Sequence, residues 1–315
     1  MKVLVTGSTG LVGNALVSDL RRDGHIVCRL VRPETKVETH TAPEGFDVKW
    51  NPATGELGGA AVGADAVVNL AGASIAEGRW TAERKKLLRT SRVDSTAMLV
   101  KALARMAARP RVLMSASAIG YYGSRGDEIL HEESRPGDDF LGGVAKEWEA
   151  EARKAEVLGI RVVLTRFGVI LAKSGGALPR MALPFRLGVG GRVGSGRQWM
   201  SWITLDDVVG VVRFALENGT VRGPVNVVSP QPVCNADFTA ALAKALHRPA
   251  LFPAPAFALR LALGEMADAL LLSSQRVVPE QLQRLEYRFL QPDLSTALAS
   301  TLRQPSAISR RSLSR

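Results

Sequence analysis

The first thirteen residues, Met1-Lys-Val-Leu-Val-Thr-Gly-Ser-Thr-Gly-Leu-Val-Gly13, constrain this chain more than any other stretch. Val3, Leu4 and Val5 form a short apolar run of the kind that makes a strand buried on both faces. Glycines follow at 7, 10 and 13. Behind them Val12, Leu16 and Leu20 recur every fourth residue, as one side of a helix does, and Gly24 is a natural stop. Gly7 permits the tight turn, Gly10 lets a pyrophosphate approach the backbone, and Gly13 lets the helix pack closely on the sheet. A glycine triplet alone is weak evidence. One that follows an opening strand and precedes an amphipathic helix predicts a dinucleotide site, with a ligand-free turn as the alternative.

The second strand, 25–31, ends at Arg32, about 20 residues past Gly13, where an NAD-binding chain usually places an acid on the ribose 2′-hydroxyl. Arg32 stands there, with Arg29 nearby and no Asp. A guanidinium pairs with a 2′-phosphate, and the missing carboxylate removes the repulsion that would exclude one. NADP(H) is therefore expected over NAD, the alternative for Arg32 being a solvated strand end.

Further strands are expected at 46–50, 64–72, 112–117, 161–168 and 225–229. The strand at 64–72 leaves Asn69, Leu70, Ala71 and Gly72 at its carboxyl end, where small residues let an adenosine and its ribose lie across the tip. One long helix with a basic, solvated face is expected from 81 to about 108, and another from about 140 to 158. Helices are also expected at 236–246 and 256–272, and one through Leu216 capped by Asp206 or Asp207. These strand-then-helix alternations predict an α/β, doubly wound parallel sheet with right-handed crossovers.

At 315 residues the chain suits one nucleotide domain plus a smaller partner. The expected division is a cofactor domain over 1–175, with 203–229 returning to it, and a smaller, mostly helical substrate-binding domain over 176–202 and 230–302. Residues 303–315 form a basic tail expected to be disordered. The segment from Gly175 on is rich in glycine, with Arg186, Arg192 and Arg197 between. It reads as a flexible lid or clamp for an anionic substrate, or as an ordinary surface loop.

The net charge is +11 and aromatic residues make up 5% of the chain. Arg303, Arg310, Arg311 and Arg315 carry much of the excess in the tail, and no basic run elsewhere is interleaved with aromatics, so nucleic acid is not an expected partner. Cys28 and Cys234 lie in apolar runs without metal-ligand spacing and are expected to be core thiols. The stretch 256–272 carries Arg260, Glu265 and Asp268, which argues against a membrane span. The expectation is a soluble, cytoplasmic protein with a small-molecule substrate, an anionic one being compatible with the basic segment. A homodimer is admissible.

Several motifs resemble the short-chain dehydrogenase/reductase superfamily, in its extended and atypical branch of NAD(P)-dependent epimerases and dehydratases. They are Thr6-Gly-Ser-Thr-Gly-Leu-Val-Gly13, Asn69-Leu-Ala-Gly72, Trp202-Ile-Thr-Leu-Asp-Asp207 and Asn226-Val-Val-Ser-Pro230. Within that branch, Arg79-Trp-Thr81, Ser91-Arg-Val93, Ser115-Ala-Ser-Ala-Ile-Gly-Tyr-Tyr-Gly123, Trp148-Glu-Ala150, Leu183-Pro-Phe-Arg-Leu-Gly188 and Gln275-Arg-Val-Val-Pro279 resemble the "epimerase family protein" group, which has its own C-terminal domain. The resemblance covers nearly all of the chain to about Leu302. It implies a Rossmann-type fold and NADP(H) held by Gly7, Thr9, Gly10, Leu11, Val12, Gly13, Arg32, Leu70, Ala71, Gly72 and Arg166.

The superfamily's chemistry uses a Tyr to transfer a proton, a Lys four residues on to lower its pKa and hold the ribose, and a Ser or Thr on the substrate oxygen. The three tyrosines are followed four residues on by Arg125, Gly126 and Gln291, so the chain contains no Tyr-x-x-x-Lys pair. Ser117 matches the Ser position. Lys146 lies on the right helix with a register open by about one residue, and Arg92 stands where the superfamily often has a helical Asn. Tyr121 or Tyr122, in the loop after the fifth strand, is the substitute acid to expect, with packing under the substrate domain as the alternative. The implied function is an oxidoreductase or epimerase on a carbonyl or sugar-nucleotide-like substrate, with Ser117, Tyr121 and Lys146 as catalytic candidates. The alternative is a non-catalytic NADP(H)-binding sensor or regulatory protein.

Overall fold

The computed structural model describes residues 1–35 and 45–303. Its strands begin with β1 (Lys2–Thr6), β2 (Ile26–Val31), β3 (Asp47–Asn51), β4 (Glu56–Leu57), β5 (Ala66–Asn69) and β6 (Val112–Ala118). They continue through β7 (Ile129–Leu130), β8 (Arg161–Phe167), β9 (Val169–Leu171), β10 (Trp199–Met200), β11 (Trp202–Thr204) and β12 (Gly223–Val227). Eight of them form one sheet in the order β12-β8-β6-β5-β1-β2-β3-β4. The β1–β2, β1–β5, β2–β3 and β5–β6 pairs are parallel, and β4 turns back antiparallel on β3. The chain runs outward from β1 on one side and returns to β5 on the other, so the carboxyl ends of β1 and β5 flank the reversal point where such sheets bind ligands.

Val3, Leu4 and Val5 are fully buried in β1, as an all-apolar central strand requires, each burial contributing about 1.5–3 kcal/mol. Helix α1 (Leu11–Arg22) buries Leu16, Val17 and Leu20, and Gly24 ends it at φ +76°. The chain divides into two compact units. The first comprises Met1–Tyr121, Asp138–Arg166 and Val209–Val225. The second comprises Tyr122–Gly137, Phe167–Val208 and the described residues from Asn226 on. Residues 122–137, 167–175, 203–208 and 226–229 group with the second unit, whereas the expected division places them in the first.

Several local expectations are corrected. The long helix expected from 81 to about 108 is two, α2 (Ala82–Thr90) and α3 (Val93–Ala104). It breaks because Ser91 accepts from the Ala73 amide at 3.1 Å and Arg92 donates to the Ala73 carbonyl at 2.9 Å, tying the junction to the loop after β5. The glycine-rich segment from Gly175 includes an unexpected helix, α5 (Ala177–Arg186), and beyond it Val193 bridges to Ala254 while its amide donates to Asn235. Helix α6 (Leu205–Glu217) starts before either expected cap. Thr204 Oγ1 accepts from the Asp207 amide at 3.1 Å, and the Asp207 carboxylate accepts from Thr204 Oγ1 and from the amides of Leu290 and Gln291.

Beyond α4 (Phe140–Arg153) and α7 (Asn235–Leu246), the 256–272 region is interrupted at Gly264, φ +62°. It forms α8 (Ala256–Leu263) and a wider-wound end, Asp268–Leu272. Cys28 is buried, as expected, whereas Cys234 is only partly so. No described helix is long and apolar enough to cross a membrane. The expected tail beyond Arg303 lies outside the described residues.

Candidate functional site

At the amino end of α1, Gly7 takes φ +64°, and a Cβ there would stand 2.7 Å from the Leu70 carbonyl carbon and oxygen. Gly13 sits so close under the turn that a Cβ would fall 2.2 Å from the Gly7 oxygen. Gly10 differs. It is exposed, and an added Cβ would meet only the Gly7 oxygen, at 3.3 Å, so the space in front of it is open. No side chain caps α1 and no acid stands in its first turn, which leaves the leading N–H groups at Leu11, Val12 and Gly13 for an anion. Thr9 is exposed beside them. This cradle of two sterically required glycines and one open one fits a dinucleotide pyrophosphate.

Leu70 and Ala71 are held at the tip of β5 by Thr6, whose Oγ1 accepts from both amides at 3.0 and 3.2 Å. Thr6 in turn donates to Asn69 at 2.7 Å, and Asn69 Nδ2 donates to Thr96 Oγ1 at 2.9 Å and Ser115 Oγ at 3.2 Å. Trp148 Nε1 donates to the same Thr96 hydroxyl at 2.9 Å. One buried polar chain therefore ties β1, β5, α3, β6 and α4 behind the ligand side, and such networks specify a single packing. Sequence reasoning missed Thr6, Thr96 and Ser115, because nothing local marks a hydroxyl whose partners lie up to 65 residues away.

Arg32 lies just past β2, 74% exposed, and among the described residues the carboxylate it approaches is that of Glu34, at 4.0 Å and 70% exposed. A cation so loosely paired is available to a ligand.

The catalytic candidates occupy different settings. Ser117, at the end of β6, is buried and donates its hydroxyl to Glu149 Oε1 at 2.7 Å. Arg166, from β8, donates to the same Glu149 through Nε at 2.7 Å and Nη2 at 2.8 Å, a buried two-pronged ion pair. The Arg166 guanidinium carbon also lies over the Tyr121 ring, 3.5 Å from its centroid. Ser117, Glu149, Arg166 and Tyr121 are thus one contiguous cluster. Tyr122 is buried in the second unit and donates to Asn226 Oδ1 at 2.6 Å.

Lys146 stands outside the cluster, on the exposed side of α4. The inward side of that helix carries Ala145 and Glu149, four residues apart, with Leu141 one turn earlier. Leu141 faces Gly120, where an added Cβ would stand 3.3 Å from the leucine Cβ. Glu149 was the residue missed here. Its signal in the sequence is a carboxylate at an inward helical position, which demands a buried cation.

A model of the NAD dependent epimerase/dehydratase family matches residues 3–228, and one of a domain of unknown function (DUF1731) matches 254–301. An epimerase family protein of Mycobacterium bovis is 42% identical over 306 residues, covering 96% of this chain and 98% of its own. A chloroplastic epimerase family protein of Arabidopsis thaliana is 39% identical, over 96% of this chain and 87% of its own. Among solved structures, the human epimerase family protein SDR39U1 with NADPH superposes with a TM-score of 0.85 at 33% identity, over 97% of this chain and 100% of its own.

Proposed function

The chain belongs to the NAD-dependent epimerase/dehydratase family, and from that premise we propose that it is an NADP(H)-dependent oxidoreductase or epimerase acting at a carbonyl or secondary hydroxyl, with Tyr121 as its proton-transferring group. The observation that carries this reading is the Arg166 guanidinium over the Tyr121 ring, 3.5 Å from its centroid, with Ser117 joined to Arg166 through Glu149. It sets a cation, a phenol and a hydroxyl together without a Tyr-x-x-x-Lys pair. Two features support the phosphorylated cofactor: Arg32 stands where a carboxylate would repel a 2′-phosphate, and the human relative is described with NADPH.

When bound, the nicotinamide supplies or accepts the hydride at the substrate carbon. The chain's own residues handle the proton. In the reducing direction Tyr121 gives its phenolic proton to the substrate oxygen, with the Arg166 guanidinium, itself paired with Glu149, lying 3.5 Å from the Tyr121 ring centroid. Ser117 has committed its proton to Glu149, so toward a substrate hydroxyl its oxygen serves as an acceptor that orients the group. Lys146 is exposed on α4 and is not a member of this buried cluster.

A second reading, a non-catalytic NADP(H)-binding regulator, is favoured by one observation: the inward α4 positions Leu141 and Ala145 carry no ionisable group. The deciding experiment is a screen of NADPH-linked turnover over carbonyl compounds and sugar nucleotides, repeated with Tyr121→Phe and Ser117→Ala. A loss of about 100-fold or more in Tyr121→Phe, with NADPH affinity unchanged, is expected. Binding of NADPH without turnover of any compound would favour the regulator instead.

A further inference from the structure

Helix α8 is apolar at every position except Arg260, yet it buries none of its residues. A helix apolar all round is ordinarily enclosed on all sides. Here Phe257 is 74% and Leu261 79% exposed, one helical turn apart, with Ala258 and Ala262 exposed beside them. Just before the helix, Leu251 and Phe252 are 70% and 57% exposed. A second stretch joins them. The Phe252 amide donates to the Gly190 carbonyl at 3.0 Å, the Ala254 amide to that of Arg192 at 2.8 Å, and the Gly194 amide to that of Ala254 at 2.9 Å. Residues 190–194 thus run parallel beside 252–254, and a Cβ on Gly191 would stand 2.1 Å from the Phe252 oxygen. The seam brings Leu187 and Val189, both more than half exposed, towards Leu251 and Phe252. All of these residues belong to the second compact unit. One exposed leucine is ordinary, but apolar side chains gathered on one seam and on the helix leaving it mark an interaction surface.

The same two stretches carry charge of one sign. Residues 167–205 and 238–264 contain no Asp or Glu. Arg186, Arg192, Arg197 and Arg248 lie in them, all exposed, and no carboxylate pairs with them among the described residues. The one cation of α8, Arg260, is already matched by Asp268 at 2.9 Å. Past Arg303, where the helix Leu294–Arg303 of the same unit ends, the sequence adds Arg310, Arg311 and Arg315 and no acid. The apolar patch is therefore bordered by unneutralised arginines, which suits a surface that offers hydrocarbon and negative charge together.

We infer that α8 and the seam beside it dock the protein on an anionic lipid surface. Phe252, Phe257 and Leu261 enter the boundary between headgroups and acyl chains, and Arg186, Arg192 and Arg248 pair with lipid phosphates. A second copy of this chain fits less well, because a symmetric contact would set the same acid-free, arginine-bearing stretches against each other. A nucleic acid would match the charge but leave the phenylalanine and leucine side chains in water. Docking of this kind lies along the lipid surface and does not span it, and it is independent of any dinucleotide bound by the first unit.

The test is co-sedimentation of the full-length protein with two kinds of vesicle, phosphatidylcholine alone and phosphatidylcholine with phosphatidylglycerol in equal parts, at low and high salt. Wild type is compared with Phe257→Ser combined with Leu261→Ser, and with Arg192→Gln combined with Arg248→Gln. Wild type is expected to partition onto the mixed vesicles at low salt and far less onto phosphatidylcholine. The Phe257/Leu261 variant should lose about tenfold or more of that partitioning while keeping the wild-type melting temperature, since both side chains are exposed in the folded chain. The Arg192/Arg248 variant should lose roughly tenfold and respond less to salt. Equal, weak association of wild type with both vesicles would overturn the inference, as would wild-type partitioning by the Phe257/Leu261 variant. Sedimentation velocity over a range of protein concentrations supplies the remaining check. A dimer formed by wild type and lost in the Phe257/Leu261 variant would assign the patch to a second copy and overturn the lipid assignment.

Discussion

Ser117 donates its hydroxyl to Glu149 Oε1 at 2.7 Å, and the same oxygen accepts Arg166 Nε at 2.7 Å. The side chain that should polarise a substrate is therefore wired into a buried ion pair, with Glu149 5% and Arg166 2% exposed. The arrangement orients Ser117 and at the same time spends its only proton.

Glu149→Gln should destabilise the fold by about 3–5 kcal/mol, because it leaves the Arg166 charge buried without its counterion. Chemical denaturation gives the number. A loss below about 1 kcal/mol would mean that Arg166 finds another partner or water.

Arg32→Ala should weaken NADPH by about tenfold while leaving NADH affinity unchanged, since one charge-assisted contact to the 2′-phosphate is removed and no other. Parallel fluorescence titrations with the two cofactors decide it. Equal losses for both would assign Arg32 to a different part of the ligand.

Gly10→Ala and Gly13→Ala should separate binding from folding. At Gly13 the Cβ falls 2.2 Å from the Gly7 oxygen and 2.8 Å from Ser8 Cα, so the turn must shift, at a cost of about 1–3 kcal/mol. At Gly10, φ −72° suits alanine and the Cβ meets only one oxygen at 3.3 Å, so the melting temperature should hold while dinucleotide affinity falls. Wild-type affinity in Gly10→Ala would show that the ligand does not approach that residue.

Glu132 supplies a pH dependence. Burial, the largest influence, pushes its carboxyl above the ordinary 4.5, against the amides of Asn226 and Gln281 that donate to it. The folded chain therefore holds this proton more tightly than the unfolded chain. Its contribution to stability is fully present below about 4.5 and is lost as pH rises through the raised folded value. Glu132→Gln should lose that decline, so its advantage over wild type grows with pH across this window in denaturation curves at stepped pH. Parallel curves for the two proteins would contradict the assignment.

The parts that were legible in the sequence rest on interactions between near neighbours. Val3–Val5, Gly7, Gly10, Gly13 and the fourfold recurrence through Leu20 specify a strand, a turn and a helix by backbone geometry and periodicity. Repetition of that unit specifies the doubly wound sheet. The lack of a Tyr-x-x-x-Lys pair is likewise a fact of sequence, since both members would sit on one helical turn. What only the tertiary structure decided involves partners far apart along the chain. The break at Ser91–Arg92 depends on Ala73, some twenty residues back, and propensity cannot register it. The Thr204 cap and the anchoring of Asp207 depend on Leu290 and Gln291. Above all, the meeting of Ser117, Glu149, Arg166 and Tyr121 follows from how α4 rotates against β6 and β8. That rotation is set by packing of buried side chains from several elements at once, and no local pattern encodes a sum over such distant contacts.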